Sequence, residues 1–289
     1  MTKPILQPQW RHSDIGLTEG YSLEITAKDV EALRMAASNI PLNTSVSITF
    51  LPTEKRDDRV AAARAVRELG FEPMAHFSAR RFGSPDGFNN YLTRLVTEAR
   101  VRRCFVISGD LHQAVGPYND SSKLIATGAF ERAGIEVIGI AGHPEGHTVM
   151  SDEEAWQVLD YKCSLITEHG MAPLIVTQFG FDAERVLTWL EALRNRGITA
   201  PVRIGVPGPA GIKRLLQFAA RCGVGASASV MTKYGISITQ LLGTAGPDRL
   251  LAQLTAGLGP QHGEVHLHFY PFGGLEKTVE WINAYTTRT

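Results

Sequence analysis

The chain has 289 residues, 44% of them hydrophobic, which is long enough to bury a large core. Lys plus Arg and Asp plus Glu both number 29, so the formal charge is zero and no basic surplus exists to neutralise a nucleic-acid backbone. Every apolar run stops within about 8 residues, well short of the roughly 20 that span a bilayer, so a membrane partner is not expected either.

Residues 1–20 carry Lys3, Arg11, His12 and Asp14 where a secretory leader needs an apolar run, and they read as an N-terminal extension. A cytoplasmic location is expected. Cys104, Cys163 and Cys222 are odd in number and widely spaced, which fits reduced core thiols better than a disulfide framework or a zinc knuckle.

From residue 21 onward, short β-rich runs alternate with segments of helical period. A strand over 21–25 leads to a helix over 27–38, then come strand 45–50 with helix 56–69 and strand 72–77 with helix 86–100. Strand 104–108 leads to helix 122–133, and strand 136–141 to helix 151–169. Strand 172–177 precedes helix 183–196, strand 202–206 precedes helix 212–220, and strand 264–269 precedes helix 275–285. Ser151 and Glu154 form a capping-box pattern, Asp182 sits at an N-cap, and Gly70, Gly134, Gly170 and Gly197 fall where helices must end. Eight such units define an α/β fold, a (β/α)₈ TIM barrel occupying residues 21–289 as a single domain. Residues 223–263 exceed one connection and hold a second helix near 246–257. These extra helices before the last strand serve either as packing or as a roof over the active site.

Catalytic groups in such barrels project from the carboxyl ends of the strands. Those positions carry Glu24, Thr49, His76, the run Ser108, Gly109 and Asp110, the turn from Gly142 to His147, Thr177 and Gln178, and then His266, His268 and Tyr270. Glu24 interrupts the apolar run of Tyr21, Leu23 and Ile25, where an unpaired carboxylate costs several kcal/mol, so burial is expected to leave it a proton to donate. His143 and His147 are four apart, but Pro144 and Gly146 make a turn rather than the helix that would bring two metal-binding histidines onto one face. No metal site is expected. No Gly-x-Gly-x-x-Gly follows the first strand, and no Walker lysine motif exists.

In this order the strand-end residues resemble the methylenetetrahydrofolate reductase family. The resemblance is carried by Leu23-Glu24, Ser47-Ile48-Thr49, Ala75-His76-Phe77-Ser78, Gly109-Asp110, Gly142 to His147, Val176-Thr177-Gln178-Phe179, Phe181-Asp182, Pro207-Gly208-Pro209 and Leu267-His268-Phe269-Tyr270. It implies interconversion of 5,10-methylenetetrahydrofolate and 5-methyltetrahydrofolate, with NADH or NADPH as co-substrate, FAD as cofactor, and a homo-oligomer. Glu24 would then be the general acid, and Asp110 would stabilise the cationic iminium. Gln178, Phe179, His268 and Tyr270 would contact folate. Thr49, His76, Ser108, Gly109, His143, Glu145, His147 and Lys162 would line the flavin.

The sequence departs from the family where flavin binds. Ser108 stands where the family has an Arg that would contact the flavin pyrophosphate, His143 replaces an aromatic residue, and Gly273 and Gly274 stand near where an Arg is expected. Two forms of the reaction stay open, one through weakly held FAD and one by direct hydride transfer without flavin. A metal-dependent barrel hydrolase using His266, His268 and the histidines of the fifth turn is a second class. A non-catalytic folate or corrinoid-partner protein is a third.

Overall fold

The computed structural model describes residues 16–222, 224 and 244–288. Its centre is a closed, all-parallel barrel of eight strands: β1 (Ser22–Ile25), β2 (Ser45–Ile48), β3 (Glu72–Ser78), β4 (Arg103–Ile107), β5 (Val137–Gly142), β6 (Ala172–Phe179), β7 (Val202–Pro207) and β10 (Val265–Tyr270). The cylinder closes where Ser22 pairs with His268 and Leu23 with Phe269. A short antiparallel pair, β8 (Ala210–Gly211) and β9 (Thr244–Ala245), sits outside it.

The period-2 alternation of each strand separates two apolar regions. Leu23, Ile25, Val46, Ile48, Phe77, Val106, Ile140, Ile204, Leu267 and Phe269 belong to the large core shared with the helices. Met74, Phe105, Leu174 and Val176 form a separate plug. The alternate positions therefore point inward, which carries Glu24, His76 and His268 into the cylinder.

The helices form where the caps direct. Around the barrel run α1 (Val30–Ala36), α2 (Arg56–Glu68), α3 (Pro85–Ala99), α6 (Asp152–Glu168), α7 (Ala183–Asn195), α8 (Ile212–Cys222) and α10 (Leu275–Thr286). Ser151 and Glu154 cap α6 reciprocally, Asp182 accepts from the amide of Glu184, and the four predicted glycines end their helices at φ of 84, 80, 74 and 80°. The helix expected over 122–133 is instead two short ones, α4 (Ser121–Ile125) and α5 (Ala129–Arg132), because Gly128 takes φ of +69° between them. The first helix is shorter than expected, flanked by the 3₁₀ turns Ala27–Asp29 and Ala37–Asn39. The extra helix before the last strand, α9 (Asp248–Gly257), packs against α7 on the barrel flank, with Gly257 close against Leu187. Most of the rest of the 223–263 segment lies outside the described residues.

Cys104 and Cys163 are buried free thiols as expected, but Cys222 is exposed at the end of α8, so the core-thiol reading fails there. No helix among the described residues is long and apolar enough to cross a membrane.

One close approach shapes the mouth. β6 shifts register against β7 between Val176 and Phe179, and at that irregularity the Thr177 hydroxyl accepts from the amide of Gly205 at 2.8 Å. A Cβ on Gly205 would stand 2.5 Å from the Thr177 carbonyl oxygen and 2.7 Å from the Phe179 nitrogen, both backbone atoms that cannot swing aside. Gly205→Ala is therefore expected to lower unfolding stability by roughly 1–3 kcal/mol or more, read from the urea midpoint. An unchanged midpoint would show that the bulge yields.

Candidate functional site

Glu24 lies inside the mouth. Its side chain is 19% exposed, and its Oε2 stands 3.7 Å from His76 Nε2 on β3 and 3.8 Å from His268 Nε2 on β10. Both distances exceed a direct hydrogen bond. Burial pushes His76 down to about 4, against which the neighbouring Glu24 charge acts only partly, so this imidazole is neutral at pH 7. His76 is also packed on Phe105, with ring centroids 4.7 Å apart. His268 is held from behind, its Nδ1 2.8 Å from the Ser22 hydroxyl. The sequence reading passed over Ser22, although it shares the inward face with Glu24 two residues on.

The residues expected to contact folate divide by exposure. Gln178 is half-buried; its side-chain oxygen, as assigned, accepts from the Phe179 amide at 3.1 Å, and its NH₂ has no partner among the described residues. Tyr270 donates to the Thr177 carbonyl at 3.1 Å, and burial pushes its phenol well above the usual range. Phe179 and His268 are 2% and 1% exposed, so they support the pocket wall rather than present a face to it. Phe179 packs edge-on against Phe272, which stacks on Phe218 of α8 at 4.1 Å. Cys222, at the end of the same helix, is within electrostatic reach of Glu24 and Tyr270. Helix α8 thus contributes to the mouth as well as to the outer ring, which its sequence did not disclose.

The residues expected around flavin are largely engaged with the protein itself. The Ser108 hydroxyl accepts from the Ser121 amide at 3.2 Å, at the start of α4. One oxygen of Glu145 accepts from the amides of Phe181 at 2.6 Å and Asp182 at 3.0 Å, tying the fifth turn to the start of α7. His147 Nδ1 accepts from the amides of Val149 and Met150. Gly109 takes φ of +92° with its Cβ direction 3.2 Å from Ser78, and the Thr49 amide donates to the Ile25 carbonyl.

Asp110 is 64% exposed on its side chain and is gripped by Arg81, which donates to both carboxylate oxygens at 2.8–3.0 Å. The cation missing after the fourth strand, where Ser108 stands, is thus supplied by the turn after the third. It pairs with Asp110 through Nε and one terminal nitrogen.

The fifth segment is the expected turn and not a helix, and it still brings its two histidines into contact. The turn closes with the Gly146 amide on the His143 carbonyl and sets the two rings edge-to-face at 4.7 Å. Burial pushes His143 down to about 4, with His147 and Lys162 adding to it. Lys162 on α6 is lowered to about 8 by burial, opposed by Asp120. His266 lies toward the barrel floor, bonded to Glu264 at 3.1 Å, and so is not grouped with His268. Among the described residues no three His, Cys, Asp or Glu side chains are arranged to hold a metal ion. A cleft of about 530 Å³ between α6 and α7, lined by Trp156 and Trp189, reaches the fifth turn with His143 and Glu145 in its lining; Glu24 does not line it.

A closed parallel barrel with a carboxyl, two imidazoles and an aromatic wall at its mouth is the architecture of a barrel enzyme. The methylenetetrahydrofolate reductase family model matches residues 27–240, well over half of the chain, and the chain belongs to that family. The matched span stops short of Glu24 on one side and of His268 and Tyr270 on the other.

Among solved structures, the fold is similar to an uncharacterised protein from Clostridium thermocellum described as binding two copies of 5-methyl-5,6,7,8-tetrahydrofolic acid. That similarity has a TM-score of 0.61 and 14% identity over 93% of this chain and 95% of the other. Dihydropteroate synthase from Thermus thermophilus is similar at a TM-score of 0.51 and 12% identity, over 93% and 94%. At these identities the likeness is one of fold.

Proposed function

We propose that this protein interconverts 5,10-methylenetetrahydrofolate and 5-methyltetrahydrofolate with NADH or NADPH as the hydride partner. The observation that carries this reading is the Glu24 carboxyl, turned inward between His76 and His268 at the mouth of a barrel of this family. The folate ligand of the Clostridium thermocellum protein with the same fold supports it.

In the reducing direction Glu24 gives a proton to the folate nitrogen that the methylene carbon leaves, and the ring opens to an iminium. A hydride then reduces the iminium to the methyl group. One hydride and one proton are consumed per turnover. Gln178, whose NH₂ has no partner among the described residues, hydrogen-bonds the pterin edge, and Tyr270 forms the wall beside it.

The residues here do not make a good flavin shell. Ser108, Glu145 and His147 direct polar atoms to backbone partners. This favours direct hydride transfer from nicotinamide to folate. Purified protein assayed for NAD(P)H-coupled interconversion is expected to turn over equally with and without added FAD, and to be colourless after gel filtration. A yellow preparation whose activity depends on the bound chromophore would overturn the flavin-free form, and absence of folate-coupled turnover under either condition would overturn the function.

A further inference from the structure

The rim above β2 and β3 gathers three guanidiniums, set among the carboxylates Glu54, Asp57, Asp58 and Asp110, that the reaction as written does not use. Arg59, in the first turns of α2, is 4% exposed. Its guanidinium lies 4.3 Å from the Phe50 ring centroid and 5.1 Å from that of Tyr91. It makes no side-chain hydrogen bond and no ion pair with any described residue, and its Nε is sealed from solvent without an acceptor. A guanidinium has five donors and cannot shed its proton, so burying one with no acceptor is unfavourable unless something beyond the described residues completes it.

Two more guanidiniums stand beside it. Arg81 lies 4.8 Å from the same Phe50 ring, and Arg56 lies 5.1 Å from the Phe82 ring. Arg81 uses Nε and one terminal nitrogen on Asp110, and the other has no partner among the described residues. Among the described residues Arg56 reaches a single long contact, 3.5 Å, with the Gly87 carbonyl. Glu54, a carboxylate within electrostatic reach of Arg59, directs its Oε1 to the Ala27 amide, and its Oε2 has no partner among the described residues. All three arginines sit at the N-terminal end of the 13-residue α2 or at the carboxyl end of β3, on the same face of the barrel as Glu24.

We propose that Arg56, Arg59 and Arg81 form an oxyanion subsite on the active-site rim, which holds the anionic end of a bound substrate. Planar, forked donors stacked on aromatic rings suit either the diphosphate of a dinucleotide or the γ-linked carboxylates of a folate tail. The choice between those two sources rests on the folate and nicotinamide reading; the existence of the subsite does not.

The test is calorimetric titration of the intact protein with inorganic pyrophosphate and, separately, with free γ-linked triglutamate, at low and at physiological salt. At least one probe is expected to bind, more weakly at the higher salt. Its affinity should fall roughly tenfold or more in Arg59→Lys, which keeps the charge but loses the fork, and also in the exposed-site variant Arg56→Gln. Pyrophosphate binding assigns the site to the nucleotide, and triglutamate binding assigns it to the folate tail. If neither probe binds the unaltered protein more tightly than it binds Arg56→Gln, the subsite does not exist. A protein inactive on folate that still binds a probe in this arginine-dependent way would overturn the function and leave the subsite standing.

Discussion

Glu24→Gln is expected to lower kcat for folate reduction by about 10²–10⁴-fold, the usual contribution of a positioned general acid. The change keeps the size of the side chain and its contacts with His76 and His268 but removes the transferable proton. Binding of 5-methyltetrahydrofolate, measured by calorimetry, should therefore change little, within about threefold, since the loss falls on the transition state and not on ground-state binding. The side chain is 19% exposed at a mouth already crowded by two imidazoles, so no cavity and no orphaned charge follows from the substitution. Full turnover in the variant would remove the carboxyl from the mechanism. A parallel loss of binding and rate would make it a binding residue instead.

The inward direction of Glu24 was legible because it depends only on strand periodicity. Tyr21, Leu23 and Ile25 face the helices, so residues 22 and 24 must face the lumen, and the same rule would have found Ser22. Periodicity fails at β6, where the register shift after Val176 breaks the alternation just as the chain reaches Thr177 and Gln178. Phe179 consequently lies under Phe272 instead of facing the pocket.

The other surprises are tertiary. Arg81 reaches sideways from the turn after β3 to Asp110 after β4, and no local pattern in either loop specifies that pairing. The fifth turn brings His143 and His147 into contact by folding back through Pro144 and Gly146, a route that helical spacing does not describe. Gly128 gave a local signal, a glycine within a helical pattern, and its positive φ is why the expected helix is two. The polar shell expected around flavin was legible as residue types but not as partners. Ser108, Glu145 and His147 are the right chemistry at the right strand ends, and the loops of this chain have recruited them to backbone amides.

The buried imidazoles around the mouth make the fold sensitive to mild acid. His76 and His143 are both pushed down to about 4 by burial, from the ordinary value of 6.5, and His147 is shifted in the same direction, also by burial first. A depressed folded value means that the unfolded chain binds more protons between about 6.5 and 4, so stability is fully present above 6.5 and is lost as pH falls through that window. By pH 5 each of the two deeply shifted imidazoles should contribute a loss of about 2 kcal/mol, a combined 4 kcal/mol or so. Against a typical total of roughly 5–15 kcal/mol, that is enough to move the urea midpoint far or to unfold a marginal protein. The unfolding midpoint should therefore drop steeply between pH 7 and pH 5. His143→Phe, which keeps a ring at the position where the family usually has an aromatic residue, should recover about half of that drop. A midpoint flat across this window, or a His143→Phe variant as acid-sensitive as its parent, would mean that these imidazoles take up protons in place and that the loops around the mouth open to water more freely than their burial indicates.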